Sequence, residues 1–276
     1  MAEIGKFNTL RVVKEVAFGV YLDGGESGEI LLPNRYVPKG TKIDDDIKVF
    51  VYHDNEQRLI ATTDIPVGQV GEIAYMEAVS VAGQGAFMKW GIMKDVFVPI
   101  SLMESRMVRG RSYFIYLFID ERTGRVTGSE KIDRVLSNAS LTINEGDLVD
   151  LLLFQQTDLG FKTIINSKHL GLLYFNDLFG DFGIGDKMQG FVKAIRPDGK
   201  IDLMPGKKGY ERVVGEEQKI LDMLANNDGF LPYNDKSAPE AIYAHFGMSK
   251  KTFKMTIGGL YKKKAIEIGD DGIKLI

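Results

Sequence analysis

A repeated plan of short, glycine-led apolar segments constrains the fold of this chain more than any other feature. Up to about residue 210, runs rich in valine, isoleucine, leucine and aromatic residues are separated by turns that contain glycine and aspartate. The plan occurs three times in succession, in copies of about 60–75 residues. Many short strands with turn residues between them predict β-barrels or β-sandwiches.

The third copy shows the plan most clearly. Its predicted strands are 146–154, 159–165, 170–175, 185–195 and 199–204. Copies of this length with five strands are typical of a small barrel of the oligonucleotide-binding type, the OB fold. We therefore predict a mainly β protein with three tandem five-stranded OB barrels, over residues 1–65, 66–140 and 141–211.

The pattern changes in residues 212–276, where apolar residues recur at helical spacing. The residues that fit one face of a first helix are Ile220, Leu221 and Leu224. A second helix is predicted to begin at the N-cap Ser237 and to end at Gly247. A third begins at the N-cap Ser249, and residues 265–276 predict a hairpin. The three barrels are therefore followed by a small α+β domain.

Residues 213–276 contain nine lysines and nine acids and are neutral overall, but most of the lysines lie in one window without acids. The chain has a formal charge of -3, yet the window 241–266 holds six lysines and no acid. Residues that follow 3–4 spacing on the inner face of the third helix are Phe253, Ile257 and Leu260. Lysines on or near the outer face of its first turns are Lys250, Lys251 and Lys254. No arginine, asparagine or glutamine occurs at 249–264, which predicts phosphate contacts with little reading of base sequence.

The third copy resembles the S1-type RNA-binding domain. Phe161 matches the aromatic residue of the second strand, and Tyr174 stands at the histidine position of the family pattern. The Gly185–Asp186 pair and the closing turn 198–200 also match. In the second copy Phe87 matches, but proline stands at the histidine position of the first two copies, as Pro33 and Pro99.

The order of the parts narrows the resemblance. Three S1-like domains followed by a winged helix, with the tail 236–276, resemble the bacterial conserved virulence factor B family along essentially the whole chain. The resemblance implies that residues 212–276 form a winged helix whose lysine helix is the recognition helix. It also implies a cytoplasmic, RNA-binding regulatory protein without a catalytic centre.

Aromatic residues on the outer face of a barrel can stack bases beside a positive groove. Phe87 and Lys89 share one face of a predicted strand, and Phe97 lies opposite Val96 and Val98 on the next. The alternative is that these rings fill the barrel cores. The full set of predicted RNA-binding residues is Phe87, Lys89, Phe97, Phe161, Lys162, Tyr174, Lys193, Arg196, Lys250, Lys251 and Lys254.

The sequence lacks the residues that several other kinds of functional site require. The chain has no cysteine, and its three histidines stand far apart, so we predict no metal site and no cofactor. Its Gly-x-Gly pairs lack the strand–turn–helix context of a dinucleotide site, and no hydrolase motif occurs. No apolar run approaches the ~20 residues of a membrane-spanning helix, and no signal peptide is recognised, so we expect a cytoplasmic protein.

The sequence therefore predicts a non-catalytic protein that binds single-stranded RNA through its barrels and its basic winged helix, and that regulates gene expression after transcription. One alternative is a transcription regulator that binds duplex DNA through the winged helix. Another is an interaction scaffold on the ribosome or polymerase, which Pro33 and Pro99 favour because they depart from the S1 pattern.

Overall fold

The computed structural model describes residues 1–178, 181–206, 217–248 and 250–276, together with the backbone but not the side chain of Lys251. The described residues divide into two compact units, Met1–Leu136 and Ser137–Ile276. The first unit contains two closed barrels, and the second contains a third barrel and a small helical domain with its own sheet. In this part of the chain, no helix is both long and apolar enough to cross a membrane.

Barrel 1 is a closed sheet with the strand order β1-β2-β3-β5-β4. Its strands are β1 (Lys6–Val16), β2 (Gly19–Asp23), β3 (Glu29–Pro33), β4 (Asp46–His53) and β5 (Leu59–Thr62). Alternate residues of each strand point inward, so its core is formed by aliphatic side chains such as Val12, Leu22, Ile30, Leu32 and Val49. Short 3-10 turns occur at Gly25–Ser27 and Asn34–Tyr36.

Barrel 2 is the second closed barrel of the first unit. Its strands are β6 (Ile73–Ala82), β7 (Gly85–Met88), β8 (Val96–Pro99), β9 (Ser112–Ile119) and β10 (Val126–Ser129), in the order β10-β8-β7-β6-β9. A 3-10 turn at Ile100–Leu102 follows its third strand, and another follows its fifth at Ile132–Arg134.

Barrel 3 belongs to the second unit. Its strands are β11 (Leu148–Gln156), β12 (Gly160–Ile165), β13 (His169–Tyr174), β14 (Lys187–Ile195) and β15 (Ile201–Pro205), in the closed order β11-β12-β13-β15-β14. A 3-10 turn at Phe175–Asp177 again follows the third strand. The prediction of three five-stranded barrels is therefore confirmed.

The glycine that leads the second strand of each barrel is required by the neighbouring strand. Gly19 pairs with Pro33, Gly85 with Pro99 and Gly160 with Tyr174 in the same antiparallel register. A Cβ atom on these glycines would lie 2.2, 2.3 and 2.1 Å from carbonyl oxygens of the third strand, those of Leu32, Val98 and Leu173. The repeated glycine of the sequence therefore marks a close approach of two strands, and it aligns the three barrels residue by residue.

Barrels 1 and 2 share a buried aromatic junction within the first unit. The Trp90 ring lies edge-on to Phe50, with centroids 5.3 Å apart, and is 6.4 Å from Tyr52. Trp90 Nε1 donates a hydrogen bond to the Gly68 carbonyl oxygen at 2.8 Å. All three rings are buried in the core that also contains the interior of barrel 2. Strand β4 of barrel 1, which carries Phe50 and Tyr52, therefore packs against barrel 2 as part of one hydrophobic cluster.

The C-terminal domain combines helices with a three-stranded sheet. Its described elements are helix α1 at residues 217–225, β16 (Phe230–Leu231), α2 (Pro239–Phe246), α3 (Lys250–Lys262), β17 (Ile266–Ile268) and β18 (Ile273–Leu275). The sheet order is β16-β18-β17, and β17 and β18 form the predicted hairpin. This hairpin is the wing of the predicted winged helix, and α2 and α3 are two of its helices.

Helix ends in this domain match the sequence in part. Gly247 ends α2 with a left-handed φ of 67°, as predicted. The predicted N-cap Ser237 is wrong, because Ala238 occupies that position and the Ser237 hydroxyl accepts a hydrogen bond from the backbone N–H of Asn234. The predicted N-cap Ser249 lies outside the described residues. The predicted inner face of α3 is confirmed, because Phe253, Ile257 and Leu260 are buried.

Candidate nucleic-acid interface

Each barrel carries an equivalent row of outward-facing residues across its second, third and fifth strands, which we call the outer row. It begins two residues after the leading glycine, so its neighbours along each strand point into the core. The row is Tyr21–Leu31–Ile60 in barrel 1, Phe87–Phe97–Thr127 in barrel 2 and Lys162–Leu172–Asp202 in barrel 3. In OB folds this face binds oligonucleotides together with the loops that flank it.

The loop between the fourth and fifth strands flanks the outer row and ends on a cation in every barrel. These loops are closed by backbone hydrogen bonds from Asp54 to Arg58, from Asp120 to Arg125 and from Arg196 to Lys200, with N–O distances of 2.9, 2.9 and 2.8 Å. The closing residue is therefore Arg58, Arg125 or Lys200. A cation beside an outward-facing row suits contact with a phosphate backbone while bases lie on the row.

Barrel 2 has an aromatic outer row at the edge of a groove. The rings of Phe87 and Phe97 are cross-strand partners with centroids 5.1 Å apart, and Phe87 is 41% exposed. The groove has a volume of about 520 Å³, and its lining includes Phe87, Phe97, Arg122 and Arg125. Half-exposed rings beside two guanidinium groups can stack bases and pair with phosphates.

The predicted orientation of these strands is confirmed. Phe87 and Lys89 are exposed, whereas Met88 and Trp90 on the opposite face of the strand are buried. Asp95 also lines the groove, and burial raises the pKa of its carboxyl, with the nearby Lys89 ammonium acting in the opposite direction. Barrel 2 thus brings together the predicted residues Phe87 and Phe97, although Pro99 departs from the S1 pattern, and the predicted Lys89 lies near Asp95 without lining the groove.

The groove of barrel 3 has a different chemistry. It has a volume of about 510 Å³ and is lined by aliphatic residues of the loop before β12 and of β13, by Lys162 and Tyr174, and by charged residues near β15. The Arg196 guanidinium donates hydrogen bonds to Asp202 at 2.8 and 3.0 Å and to the Tyr174 hydroxyl at 2.7 Å. The predicted residues Lys162, Tyr174 and Arg196 therefore share one groove, with Arg196 already held by an anion.

Two predicted residues of barrel 3 lie elsewhere. Phe161 follows the leading glycine directly and is equivalent to Val20 and Ala86, so its side chain points inward. It is 4% exposed and packs edge-on against Phe175 with centroids 5.4 Å apart. The prediction that Phe161 stacks a base is wrong, because its ring is part of the core. Lys193 pairs with Asp177 at 3.2 Å and is not among the residues that line the groove.

The lysines in and next to α3 differ in their exposure and their contacts. Lys254 is exposed and its ammonium lies 3.5 Å from the Asp235 carboxylate. Lys263, near the other end of the helix, forms a 2.6 Å ion pair with Glu217. Lys250 is half-buried at the start of the helix, and the side chain of Lys251 is outside the described atoms. Within the described residues, the first turns of α3 therefore present Lys250 and Lys254.

Sequence reasoning missed most of the charged residues that flank the rows. Arg58, Arg125 and Lys200 each close a loop that begins at an aspartate or arginine four or five residues earlier, and this spacing is the signal that could have found them. Asp202 could not be found this way, since its importance depends on its contact with Arg196. Among the described residues, no group of histidine, aspartate and glutamate side chains could hold a metal ion.

Comparison with known proteins identifies the domain families and the proteins that this chain resembles. Residues 4–64 match the S1 domain family, and residues 218–275 match the CvfB-like winged helix domain family. The chain is 26% identical to YitL of Bacillus subtilis (strain 168), over 94% of this chain and 89% of YitL. It is 25% identical to conserved virulence factor B of Staphylococcus aureus (strain USA300), over 99% of this chain and 94% of that protein.

A solved structure from Streptococcus pneumoniae, described as a multidomain protein with nucleic acid binding domains, aligns with 99% of this chain and 98% of its own, at 23% identity and a TM-score of 0.41. The two family matches coincide with barrel 1 and with the domain from α1 to β18. The chain therefore carries an S1 domain and a CvfB-like winged helix, and along nearly its whole length it is a relative of the conserved virulence factor B proteins.

Proposed function

We propose that this protein is a non-catalytic RNA-binding protein that regulates gene expression after transcription. Its barrels hold single-stranded RNA by stacking bases on the aromatic side chains of the outer rows of barrels 1 and 2 and on Tyr174 in the groove of barrel 3, and its winged helix adds phosphate contacts. The proposal is supported by the S1 match at residues 4–64 and by the relationship to proteins named for virulence. The S1 resemblance favours RNA over DNA as the partner.

One observation carries the proposal furthest, namely the Phe87–Phe97 pair in the groove of barrel 2. The two rings lie 5.1 Å apart, and Phe87 is 41% exposed. A ring this exposed is not needed to fill the core and is available to stack a base. Arg122 and Arg125 line the same groove. Stacking a base on such a ring is worth about 1–3 kcal/mol, and it tolerates any base because every base has a π face.

The winged helix supports phosphate contact with little base reading. Its third helix presents Lys250 and Lys254, and residues 249–264 contain no arginine, asparagine or glutamine. Lysine acts as a point charge towards phosphate, whereas bidentate reading of guanine or adenine uses arginine, asparagine or glutamine. We therefore propose that this helix adds affinity and that it does not select a duplex DNA sequence.

Fluorescence anisotropy with labelled single-stranded RNA, matched single-stranded DNA and duplex DNA, at two salt concentrations, tests the proposal. We expect RNA to bind best and its affinity to fall as salt rises. Phe87→Ala should weaken RNA binding about 5- to 150-fold, the equivalent of about 1–3 kcal/mol. The matched control is Tyr75→Ala, because Tyr75 forms a ring pair with Phe114 at 4.6 Å on β6 and β9 of the same barrel.

Other outcomes identify the alternatives. A preference for duplex DNA that is abolished by removing the residues after about position 211 would mean a transcription regulator. No binding to any of the three nucleic acids would overturn the proposal in favour of an interaction scaffold. Equal losses for Phe87→Ala and Tyr75→Ala would show that the aromatic pair in the groove has no special role in binding.

A further inference from the structure

We infer that barrels 1 and 2 bind one continuous single strand of RNA, which runs from the Phe87–Phe97 pair across the loop 54–58 of barrel 1 to Tyr21. The inference rests on the proposed RNA-binding function and deepens it. It makes the first unit one site with two stacking surfaces, in place of two independent sites. Tyr21, Gln57, Arg58 and Lys94 become part of that site.

Barrel 1 supplies part of the wall of the barrel 2 groove. His53, the last residue of β4 in barrel 1, lines the groove together with Phe87, Phe97 and Lys94. A ligand that fills this groove therefore lies against both barrels. The residues that follow His53 form the loop 54–58, which in an OB fold also flanks the outer row of its own barrel.

Two cations of barrel 2 hold this loop in place. Lys94 Nζ donates hydrogen bonds to the carbonyl oxygens of His53 and Asp54, at 2.6 and 2.8 Å. Arg125 Nε donates to Gln57 Oε1 at 2.9 Å. Charge-assisted hydrogen bonds of this kind are stronger than neutral ones, and the buried Phe50–Trp90 contact lies in the same junction. The loop therefore has a defined position relative to the groove.

Adjacent residues of the loop face the two surfaces. Gln57 contacts Arg125, which lines the barrel 2 groove. The next residue, Arg58, is held by Asp54 and Glu56 at 2.7 and 2.9 Å, and it stands two residues before Ile60 of the barrel 1 outer row. Two consecutive residues of one loop therefore connect the edges of the two surfaces.

The barrel 1 surface, like the groove, combines aromatic rings with a cation. The Tyr21 ring packs edge-on against Phe18 with centroids 6.4 Å apart, and Phe18 is 56% exposed. Lys14 Nζ lies 5.7 Å from the centroid of the Tyr21 ring. The path therefore runs from the rings of Phe87 and Phe97 past the cations Arg125 and Arg58 to the ring of Tyr21, and single-strand binding surfaces combine rings and cations in this way.

A continuous strand has a consequence that separate strands lack. Once a strand is held by barrel 2, its extension reaches barrel 1 at a high effective concentration, which raises affinity by about 10²–10⁴-fold without a new type of contact. We therefore expect affinity to rise steeply once an oligonucleotide exceeds the length that one barrel covers, about 4 nucleotides at the lower end for OB folds. Tyr21→Ala should weaken only the longer oligonucleotides.

Crosslinking in the full chain tests the path directly. Uridine oligonucleotides of about 12 nucleotides, on the scale of OB site sizes, would carry 4-thiouridine at either the 5′ or the 3′ end. They would be irradiated with excess protein, and the crosslinked peptides would be identified by mass spectrometry. We expect one end to crosslink to the β7–β8 segment and the other end to β2, with the same polarity in every experiment. Lys94→Met should weaken the preference for one polarity, because it removes one of the two cations that hold the loop beside the groove.

The outcomes separate this inference from the proposed function. If each end crosslinks equally to both segments, the two barrels bind separate strands and the inference is wrong. If RNA crosslinks to barrel 3 or to the winged helix but to neither barrel of the first unit, the inference fails while RNA binding stands. If no RNA is bound at all, the proposed function itself fails. Equal weakening of short and long oligonucleotides by Lys94→Met, with Tyr75→Ala as control, would reduce Lys94 to a structural role.

Discussion

Arg196 and Asp202 form a bidentate ion pair in the groove of barrel 3, with Nε 2.8 Å from Oδ2 and Nη2 3.0 Å from Oδ1. The positions equivalent to Asp202 in the other barrels are Ile60 and Thr127, which carry no charge. Barrel 3 thus carries an anion on its outer row, and this anion holds Arg196, the first residue of the loop between its fourth and fifth strands. The pair is close to neutral, so much of the attraction that Arg196 could offer a phosphate is cancelled.

Replacing Asp202 by asparagine should therefore strengthen RNA binding. The change frees the Arg196 guanidinium and removes a carboxylate that repels phosphate, so we expect an affinity about 2- to 5-fold higher at low salt. The slope of log K against log salt should steepen by about 0.7, the value for one added phosphate contact on a single strand. Anisotropy titrations at several salt concentrations measure both quantities, and Arg196→Ala should move both in the opposite direction.

Asp202→Asn could also weaken RNA binding, and that result would give Asp202 a different role. If Asp202→Asn weakens binding as much as Arg196→Ala, Asp202 acts mainly by orienting the guanidinium, and the remaining Nη1 donors would be the ones that contact RNA. Combining the two substitutions separates these cases. We expect the effects of the two substitutions on RNA affinity to be non-additive in both cases, but the sign of the interaction energy differs between them.

Phe161 and Phe87 should respond in opposite ways to the loss of their rings. Phe161→Leu removes part of the core of barrel 3, so we expect the free energy of unfolding of that barrel to fall by about 1 kcal/mol. RNA affinity should stay unchanged, because the ring has no exposed face. Phe87→Leu should reduce RNA affinity with little change in stability. Hydrogen exchange of the barrel strands measures the first effect, and anisotropy measures the second. A loss of affinity in folded Phe161→Leu protein would contradict the assignment of this ring to the core.

The fold could be predicted from the sequence because each barrel repeats local features that have one physical cause. The leading glycines Gly19, Gly85 and Gly160 recur because a Cβ would collide with the next strand. The alternation of buried and exposed residues after these glycines gives the face of Phe87 correctly. Phe161 follows its leading glycine by one residue, whereas Phe87 follows by two, so the same alternation places Phe161 on the inner face. A shift of one residue reverses the face, so matching aromatic residues by type alone gave the wrong prediction.

The contacts that complete the candidate site depend on residues far apart in the chain. Lys94 meets the carbonyl oxygens of His53 and Asp54 across about 40 residues, and Arg125 meets Gln57 across 68. No local pattern marks a lysine that will donate to backbone carbonyl oxygens of another barrel. Such contacts follow only from the packing of barrel 1 against barrel 2, which depends on the buried rings of Phe50, Tyr52 and Trp90.

Lysines at the two ends of α3 should differ in their effect on RNA binding. The double substitution of Lys250 and Lys254 by alanine should lower affinity and reduce the salt slope by about 1.4, the value for two phosphate contacts on a single strand. The matched control is the double substitution of Lys262 and Lys264, which removes the same charge from the end of the helix that does not dock in winged helices. Lys263 is left intact because it pairs with Glu217. Equal slopes for the two double variants would mean that only overall charge matters.

The junction between barrels 1 and 2 should lose stability as the pH falls below about 6.5. Burial, and then the nearby Lys94 ammonium, lowers the pKa of His53 from its ordinary value of 6.5, while Asp54 acts in the opposite direction. His53 Nδ1 is buried and has no hydrogen-bond partner within the described residues, which also disfavours the charged ring. Because its folded-state pKa is the lower one, the unfolded chain takes up the proton first. The free energy of unfolding therefore decreases from pH 6.5 down to the folded pKa and then levels off.

The single tryptophan of the chain, Trp90, lies in this junction and reports on it directly. Urea unfolding followed by Trp90 fluorescence should give a lower midpoint at about pH 5.5 than at about pH 7.5, a window chosen to bracket the histidine. Burial alone would raise the pKa of the Asp54 carboxyl, but hydrogen bonds from Arg58 and from the Glu56 backbone lower it from 3.8, so Asp54 does not titrate in this window. His53→Gln should reduce the difference between the two midpoints, because it removes the titrating ring. An unchanged difference would mean that His53 is not the group whose protonation weakens the junction.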